Sequence, residues 1–211
     1  MTDLWRARWQ EGRIGFHLTQ PHPALTHYWP SLGVPDHAKV LVPLCGKTLD
    51  MRWLAEARHP VLGVELAPEA IEQFLAQSSA PVSRYQQAGF NISRQGNIEL
   101  WCGDFFHLHI QQASEIGAFY DRAALIALPE ATRQRYAFHL AQLTPPGAKG
   151  LLVSVSHQGE GGGPPYSVPP QEVEALFMPN FRVSLLEEAE PDERGLSETV
   201  WHLVRRGPLE P

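Results

Sequence analysis

Several things are scarce in this chain, and each scarcity removes a class of protein. Cysteine occurs only at Cys45 and Cys102, too few for the disulfide framework that holds small secreted domains together. No apolar run approaches the roughly 18 residues that a bilayer-spanning helix needs. The first nine residues, M-T-D-L-W-R-A-R-W, carry charges where a signal peptide needs an apolar stretch. A basic excess is absent too: the net charge of -6 argues against nucleic acid, whose affinity rests on Lys and Arg neutralising phosphates. There is no block of like charge to act as an interaction tail, no internal repeat and no low-complexity linker. A soluble, cytoplasmic chain is expected, with neither a nucleic-acid nor a membrane partner, and a monomer in the absence of any evident apolar seam.

The 211 residues, 43% hydrophobic and 19% charged, fit one domain over 1–211, with 1–30 as a lid region within it. Helical spacing covers Asp3–Gln10, with Leu4, Trp5 and Trp9 on one face. Strand-like runs occur at Val40–Val42, Val61–Leu66, Ile98–Cys102, Ala118–Tyr120 and Leu151–Ser156, and two closing strands at Arg182–Leu186 and Thr199–Val204. Between them lie helical segments: Thr48–Ala57 with Leu49, Trp53 and Leu54 inward, Pro68 to about Gln77 with Ile71, Phe74 and Leu75 inward, Glu130–Leu143, and Glu172–Phe177. Ser78–Gln95 reads as a polar, irregular surface insertion, and Gly159–Pro170 as a loop. Strands alternating with helices predict an α/β, Rossmann-like fold. Its expected sheet is mostly parallel and seven-stranded, with one antiparallel element at an edge and helices on both faces.

The turn Cys45–Asp50 after the first strand, and Glu65 about twenty residues on, place a carboxylate where such folds hold an adenosine ribose. Here another scarcity is informative. Gly46-Lys47-Thr48 copies the end of a phosphate-binding loop, but Leu41 stands where the leading glycine belongs. A dinucleotide turn wants three glycines, and this one has a single Gly46. A ligand with adenosine but no phosphate remains, which is S-adenosylmethionine. Asp104 after the third strand is placed either to contact the adenine or to cap a helix, with Phe105 as its apolar neighbour. Cys45 and Cys102 both follow strand runs toward one crevice; they read as reduced fillers of tight turns rather than activated nucleophiles. His107 and His109 would share a face on a strand and could bind metal, but no further ligands follow at matching spacing, so no metal is expected.

These residues belong to a longer set: W-x-x-x-W at Trp5–Trp9, G-F-H at Gly15–His17, V-P-L-C-G-K at Val42–Lys47, G-V-E at Gly63–Glu65, D-R-A-A-L at Asp121–Leu125 and G-P-P-Y-S-V-P at Gly163–Pro169. In that order and spacing, over nearly the whole length, the chain resembles the thiopurine S-methyltransferase family in its short bacterial form. The resemblance implies that Trp9 packs over S-adenosylmethionine as part of a lid, that Leu44 and Gly46 contact it from the first turn, and that Glu65 binds the ribose. It further implies that Asp104 and Phe105 flank the adenine and that Arg122 lies between cofactor and acceptor. Phe16 is implied to touch the acceptor, with Arg194 a second arginine beside it. At Gly103-Asp104-Phe105 the chain is more acidic than the animal members, which puts the detail of the adenine contacts in question.

The implied activity is methyl transfer to small aromatic or heterocyclic thiols, a detoxifying reaction, with Arg122 and Arg194 stabilising a thiolate and forming no covalent bond. His17 is a further candidate for assisting deprotonation. Two other readings stand beside it: methylation of inorganic selenium or tellurium species or halides, and a module that binds S-adenosylmethionine without catalysis.

Overall fold

The computed structural model describes residues 2–13, 17–159 and 163–207. Among the described residues nine strands follow one another: β1 (Lys39–Pro43), β2 (Val61–Glu65), β3 (Val82–Gln87), β4 (Phe90–Gln95), β5 (Ile98–Cys102), β6 (Ile116–Asp121), β7 (Lys149–Ser156), β8 (Phe181–Glu188) and β9 (Ser197–Arg205). They form one sheet in the order β3-β4-β5-β2-β1-β6-β7-β9-β8. The five central strands, β5-β2-β1-β6-β7, are parallel, and antiparallel strands close both edges.

The central strands are buried on both faces, which is why they read as continuous apolar runs. Successive side chains still alternate between faces. Val40 and Val42 join a core with Met51, Leu54 and Phe74, whereas Leu41 joins the core on the other side with Phe119, Tyr136 and Phe177. Helices α2 (Pro23–Tyr28), α3 (Asp50–Glu56) and α4 (Pro68–Leu75) cover the first face. Helices α5 (Glu130–Leu143) and α6 (Pro170–Phe177) cover the second. Helix α1 (Thr2–Gln10) lies across the carboxyl ends of the strands. Among the described residues no helix is long and apolar enough to cross a membrane.

The fold class is as expected, but the sheet has nine strands rather than seven, and two of its edges are antiparallel. The extra pair is β3–β4, formed by the segment read from sequence as an irregular insertion. Every residue of β3 is exposed, so it carries no apolar alternation. Its turn has positive φ at Ala88 (51°) and Gly89 (84°), the backbone of a two-residue hairpin turn usually marked by Asn-Gly or Asp-Gly. On α3 the inward stripe is Asp50, Met51 and Leu54, with Leu49 and Trp53 only partly buried. A buried aspartate at a core position disguised the period. Asp50 is accommodated because His22 N and Tyr120 Oη donate to its two oxygens at 2.7 and 2.9 Å.

A second buried aspartate ends β6. The Asp121 carboxylate accepts hydrogen bonds from Tyr136 Oη (2.6 Å), Ala124 N (2.9 Å) and Leu125 N (3.3 Å). It thereby pins the segment after β6 to α5. Burial raises its pKa to about 6, against the opposing pull of those three donors. The native state therefore holds the proton more tightly than the unfolded chain, so Asp121 favours folding below about pH 4 and that contribution is lost as pH rises through about 6. Asp121→Asn keeps the shape and cannot ionise. Between pH 4 and 7 the variant should gain on the wild type by on the order of 3 kcal/mol in urea unfolding; a constant gap would place the carboxyl at its ordinary value.

Candidate active site

The carboxyl ends of the parallel strands open into a cavity of about 500 Å³. Going across the sheet, its wall is made by Gly103–Phe106 after β5, Glu65 at the end of β2, Leu44 and Gly46 after β1, Arg122 after β6, Val155 on β7, and Glu198 on β9. Trp5, Arg8 and Trp9 of α1 and Pro164 and Pro165 of the 163–170 segment complete it. Leu44 and Gly46 have φ of 47° and 54°. Left-handed backbone is costly for a leucine and free for a glycine, so the turn is strained at one residue and relaxed at the other.

Glu65 holds that turn in place. Its Oε2 accepts from Gly46 N and its Oε1 from Ala67 N, both at 2.8 Å, while its carbonyl accepts from Gly103 N at 2.9 Å. One buried residue therefore ties together the turns after β1, β2 and β5. Burial raises its pKa, and the backbone donors Ala67, Gly46 and Leu66 pull the other way. Two of the roughly four acceptor positions of a carboxylate are used in this way, which leaves capacity for hydroxyls entering from the cavity.

Trp9 lies directly over the turn. A Cβ on Gly46 would come within 3.1 Å of the indole, so the glycine makes room for this ring. The indole is buried with Ala67 and Ala70. Elsewhere α1 is held by Arg8 Nη1 on Pro164 O (3.3 Å) and by a long contact from Trp5 Nε1 to Ala127 O (3.4 Å). The helix thus roofs the cavity between α4 and the segment after β6.

At the β5 side Asp104 caps the short 3-10 turn Phe105–His107, its Oδ1 accepting from Phe106 N at 2.9 Å. The capping reading therefore holds, and the same side chain also stands in the cavity wall. Phe105 is packed against Tyr136 and edge-on to His139, at 5.6 and 5.1 Å between ring centres. Gly103 is compelled by packing: a Cβ there would lie 2.6 Å from the Phe90 ring, a neighbour contributed by the unforeseen hairpin.

Arg122 sits between the main cavity and a smaller hollow of about 40 Å³ shared with His17, Lys47, Thr48, Asp50 and Tyr120. His17 faces that hollow, and its pKa is lowered by burial and by the positive charges of Lys47 and Arg122, against Asp50. Arg194 projects from the β8–β9 connection at the cavity's edge, where Nη2 and Nε bind Asp192 Oδ2 at 2.8 and 3.0 Å. Of the residues singled out from sequence, Trp9, Leu44, Gly46, Glu65, Asp104, Phe105, Arg122 and Arg194 all surround one cavity. Phe16 lies outside the described residues.

Cys45 and Cys102 do not line the main cavity. Burial pushes both thiols up, Cys45 strongly, with the Glu65 charge adding to it, the opposite of what activates a nucleophile. His107 ends a 3-10 turn and His109 follows it, so the strand geometry that would aim both rings one way is absent. Sequence reasoning missed Asp121, Arg8 and the pair His22–Glu198. Only Asp121 had a visible signal, its place at the end of a strand beside Arg122.

The family model described as thiopurine S-methyltransferase matches this chain over residues 1–205. A thiopurine S-methyltransferase of Pseudomonas fluorescens strain Pf0-1 is 44% identical over 97% of this chain and 92% of its own. That of Azotobacter vinelandii is 43% identical over 97% and 99%. Among solved structures, the 1,6-didemethyltoxoflavin-N1-methyltransferase of Burkholderia thailandensis, with bound 1,6-didemethyltoxoflavin and S-adenosylhomocysteine, superposes with a TM-score of 0.68 at 15% identity. It covers 98% of this chain and 87% of that one. A family match over residues 1–205, with relatives 43–44% identical over 97% of the chain, places this protein in the thiopurine S-methyltransferase family of S-adenosylmethionine-dependent methyltransferases.

Proposed function

We propose that this protein transfers a methyl group from S-adenosylmethionine to the sulfur of small aromatic or heterocyclic thiols. The observation that carries the acceptor is the pair Arg122 and Arg194, which line the cavity on the far side of β1 from Glu65. Glu65 would take the ribose hydroxyls, Asp104 and Phe105 the adenine, and Leu44, Gly46 and Trp9 the middle of the cofactor. When bound, the cofactor supplies a methyl on positively charged sulfur, already activated for in-line displacement.

The chain's own task is then positioning and exclusion of water. Trp9 and the α1 roof shield the cavity from above, and Leu18, Phe106, Ile126 and Pro164 give it apolar walls. A thiol attacks as its thiolate. Arginine stays protonated at neutral pH, so Arg122 and Arg194 would stabilise that anion rather than remove the proton. Arg194 would exchange its contact with Asp192 for the acceptor. The apolar walls favour a flat aromatic thiol over a hydrated selenium, tellurium or halide anion.

The deciding experiment offers S-adenosylmethionine with 6-mercaptopurine, thiophenol, selenite, tellurite and iodide. Turnover of the thiols is expected; S-adenosylmethionine binding with no turnover of any acceptor would leave a binding module. Glu65→Ala should weaken S-adenosylmethionine binding by on the order of 1–3 kcal/mol in calorimetry, and unchanged affinity would remove Glu65 from the ribose site. Arg122→Ala should lower kcat on thiophenol by roughly 100-fold, the cost of losing one preorganised charge-stabilising group. Normal turnover at saturating acceptor would refute that role.

A further inference from the structure

One charged side chain in the cavity wall has no part in the function just described. Glu198, the second residue of β9, pairs with Val155 of β7 and lines the cavity together with Arg194 and Leu196. Strand order puts it at the acceptor end. From β5, which carries Asp104, to β9 there are five strand spacings, about 24 Å at roughly 4.8 Å each. From β2, which carries Glu65, there are four, about 19 Å.

Glu198 is held in a fixed place. Its Oε2 lies 3.4 Å from His22 Nε2, on a side chain only 6% exposed. His22 is itself locked at the start of α2: its main-chain N donates to Asp50 Oδ1 at 2.7 Å, and its Nδ1 accepts from Ala24 N at 3.2 Å. With Nδ1 accepting, Nε2 carries the ring proton and presents it to Glu198. The His22 contact, by hydrogen bond and by charge, and then the charge of Arg122 hold the Glu198 carboxyl below its ordinary pKa despite burial. Glu198 is thus an ionised, oriented carboxylate in a region where a thiolate acceptor would need only positive charge.

A carboxylate there would repel a bare thiolate, yet it suits a heterocycle whose sulfur is a thione beside a ring N–H. We propose that Glu198 accepts the hydrogen bond of that ring N–H and takes its proton as the methyl group is transferred, making thione-type heterocycles the preferred acceptors. This rests on the thiol reading above and narrows it. The thione sulfur attacks the sulfonium methyl, the new S–CH3 bond forms, and the old C–S bond breaks with its electron pair going to the departing S-adenosylhomocysteine. The C=S π electrons become the sulfur's bonding pair to the methyl. The N–H bond releases its electrons to form C=N, and the proton passes to Glu198, whose partly exposed carboxyl returns it to solvent. Because the ring N–H becomes strongly acidic once sulfur carries the methyl, a weakly basic carboxylate is adequate. Arg122 and Arg194 would face the sulfur while Glu198 faces the nitrogen.

The test compares the full chain with Glu198→Gln and Glu198→Ala on benzimidazole-2-thione, which has N–H beside C=S, and on thiophenol, which has none. Both variants should lose roughly 100-fold in kcat on the thione and stay within about threefold on thiophenol, with S-adenosylhomocysteine affinity unchanged. Equal losses on both acceptors, or loss of S-adenosylhomocysteine binding, would make Glu198 a tie between β9 and α2 and overturn the proposal, as would unchanged kcat on the thione. Wild-type protein that methylates thiophenol and not the thione overturns this inference alone. Wild type that methylates neither removes the thiol acceptor and this inference together.

Discussion

A single carboxylate, Glu65, organises the cofactor end of this molecule. Three turns leave three adjacent strands at the same edge of the sheet, and each exposes backbone N–H groups to a cavity. Glu65 satisfies one N–H in each of the first two through its side chain and one in the third through its carbonyl. Unpaired, those groups would cost about 1–3 kcal/mol apiece. The carboxylate is therefore a structural brace in its own right, and burial at this position raises its pKa against the pull of its backbone donors.

The arrangement also explains why the turn after β1 tolerates Leu44 in a left-handed conformation. The peptide on one side is anchored by Cys45 N on Val64 O at 3.0 Å and the next by Gly46 N on Glu65. The surroundings over-determine the strained residue, a common condition where a chain shapes a ligand pocket. Trp9 presses on the same turn from above, so a segment near the chain's beginning becomes part of the wall made by residues 44 to 46.

The parallel centre of the fold was legible because its strands are short apolar runs bounded by turn residues, and because Glu65 and Asp104 sit at their ends. The family motifs added Arg122 and Arg194, which sit on connections whose positions no periodicity predicts, and gave a role to Trp9, which periodicity could place only on a helix face. What stayed hidden was of two kinds. β3 is polar throughout and turns through Ala88-Gly89, so it lacks both the alternation and the turn residues that announce a hairpin. Asp50, Asp121 and Glu198 look like surface charges in sequence. Their partners, His22, Tyr120 and Tyr136, come from remote segments and are joined to them only by folding.

The C-terminal hairpin β8–β9 has a consequence for how this family can change. The inner half of the cavity is built from the parallel strands at the centre of the sheet, whose alternate residues are committed to two hydrophobic layers. The outer half is carried by an edge hairpin whose connecting loop is exposed. On the proposed assignment of the two ends, substitutions at 189–198 reshape the acceptor side of the cavity and leave the methyl donor's side untouched. Selection can retune the acceptor without renegotiating the fold, and chemical range becomes a property of a rim that evolves at its own pace.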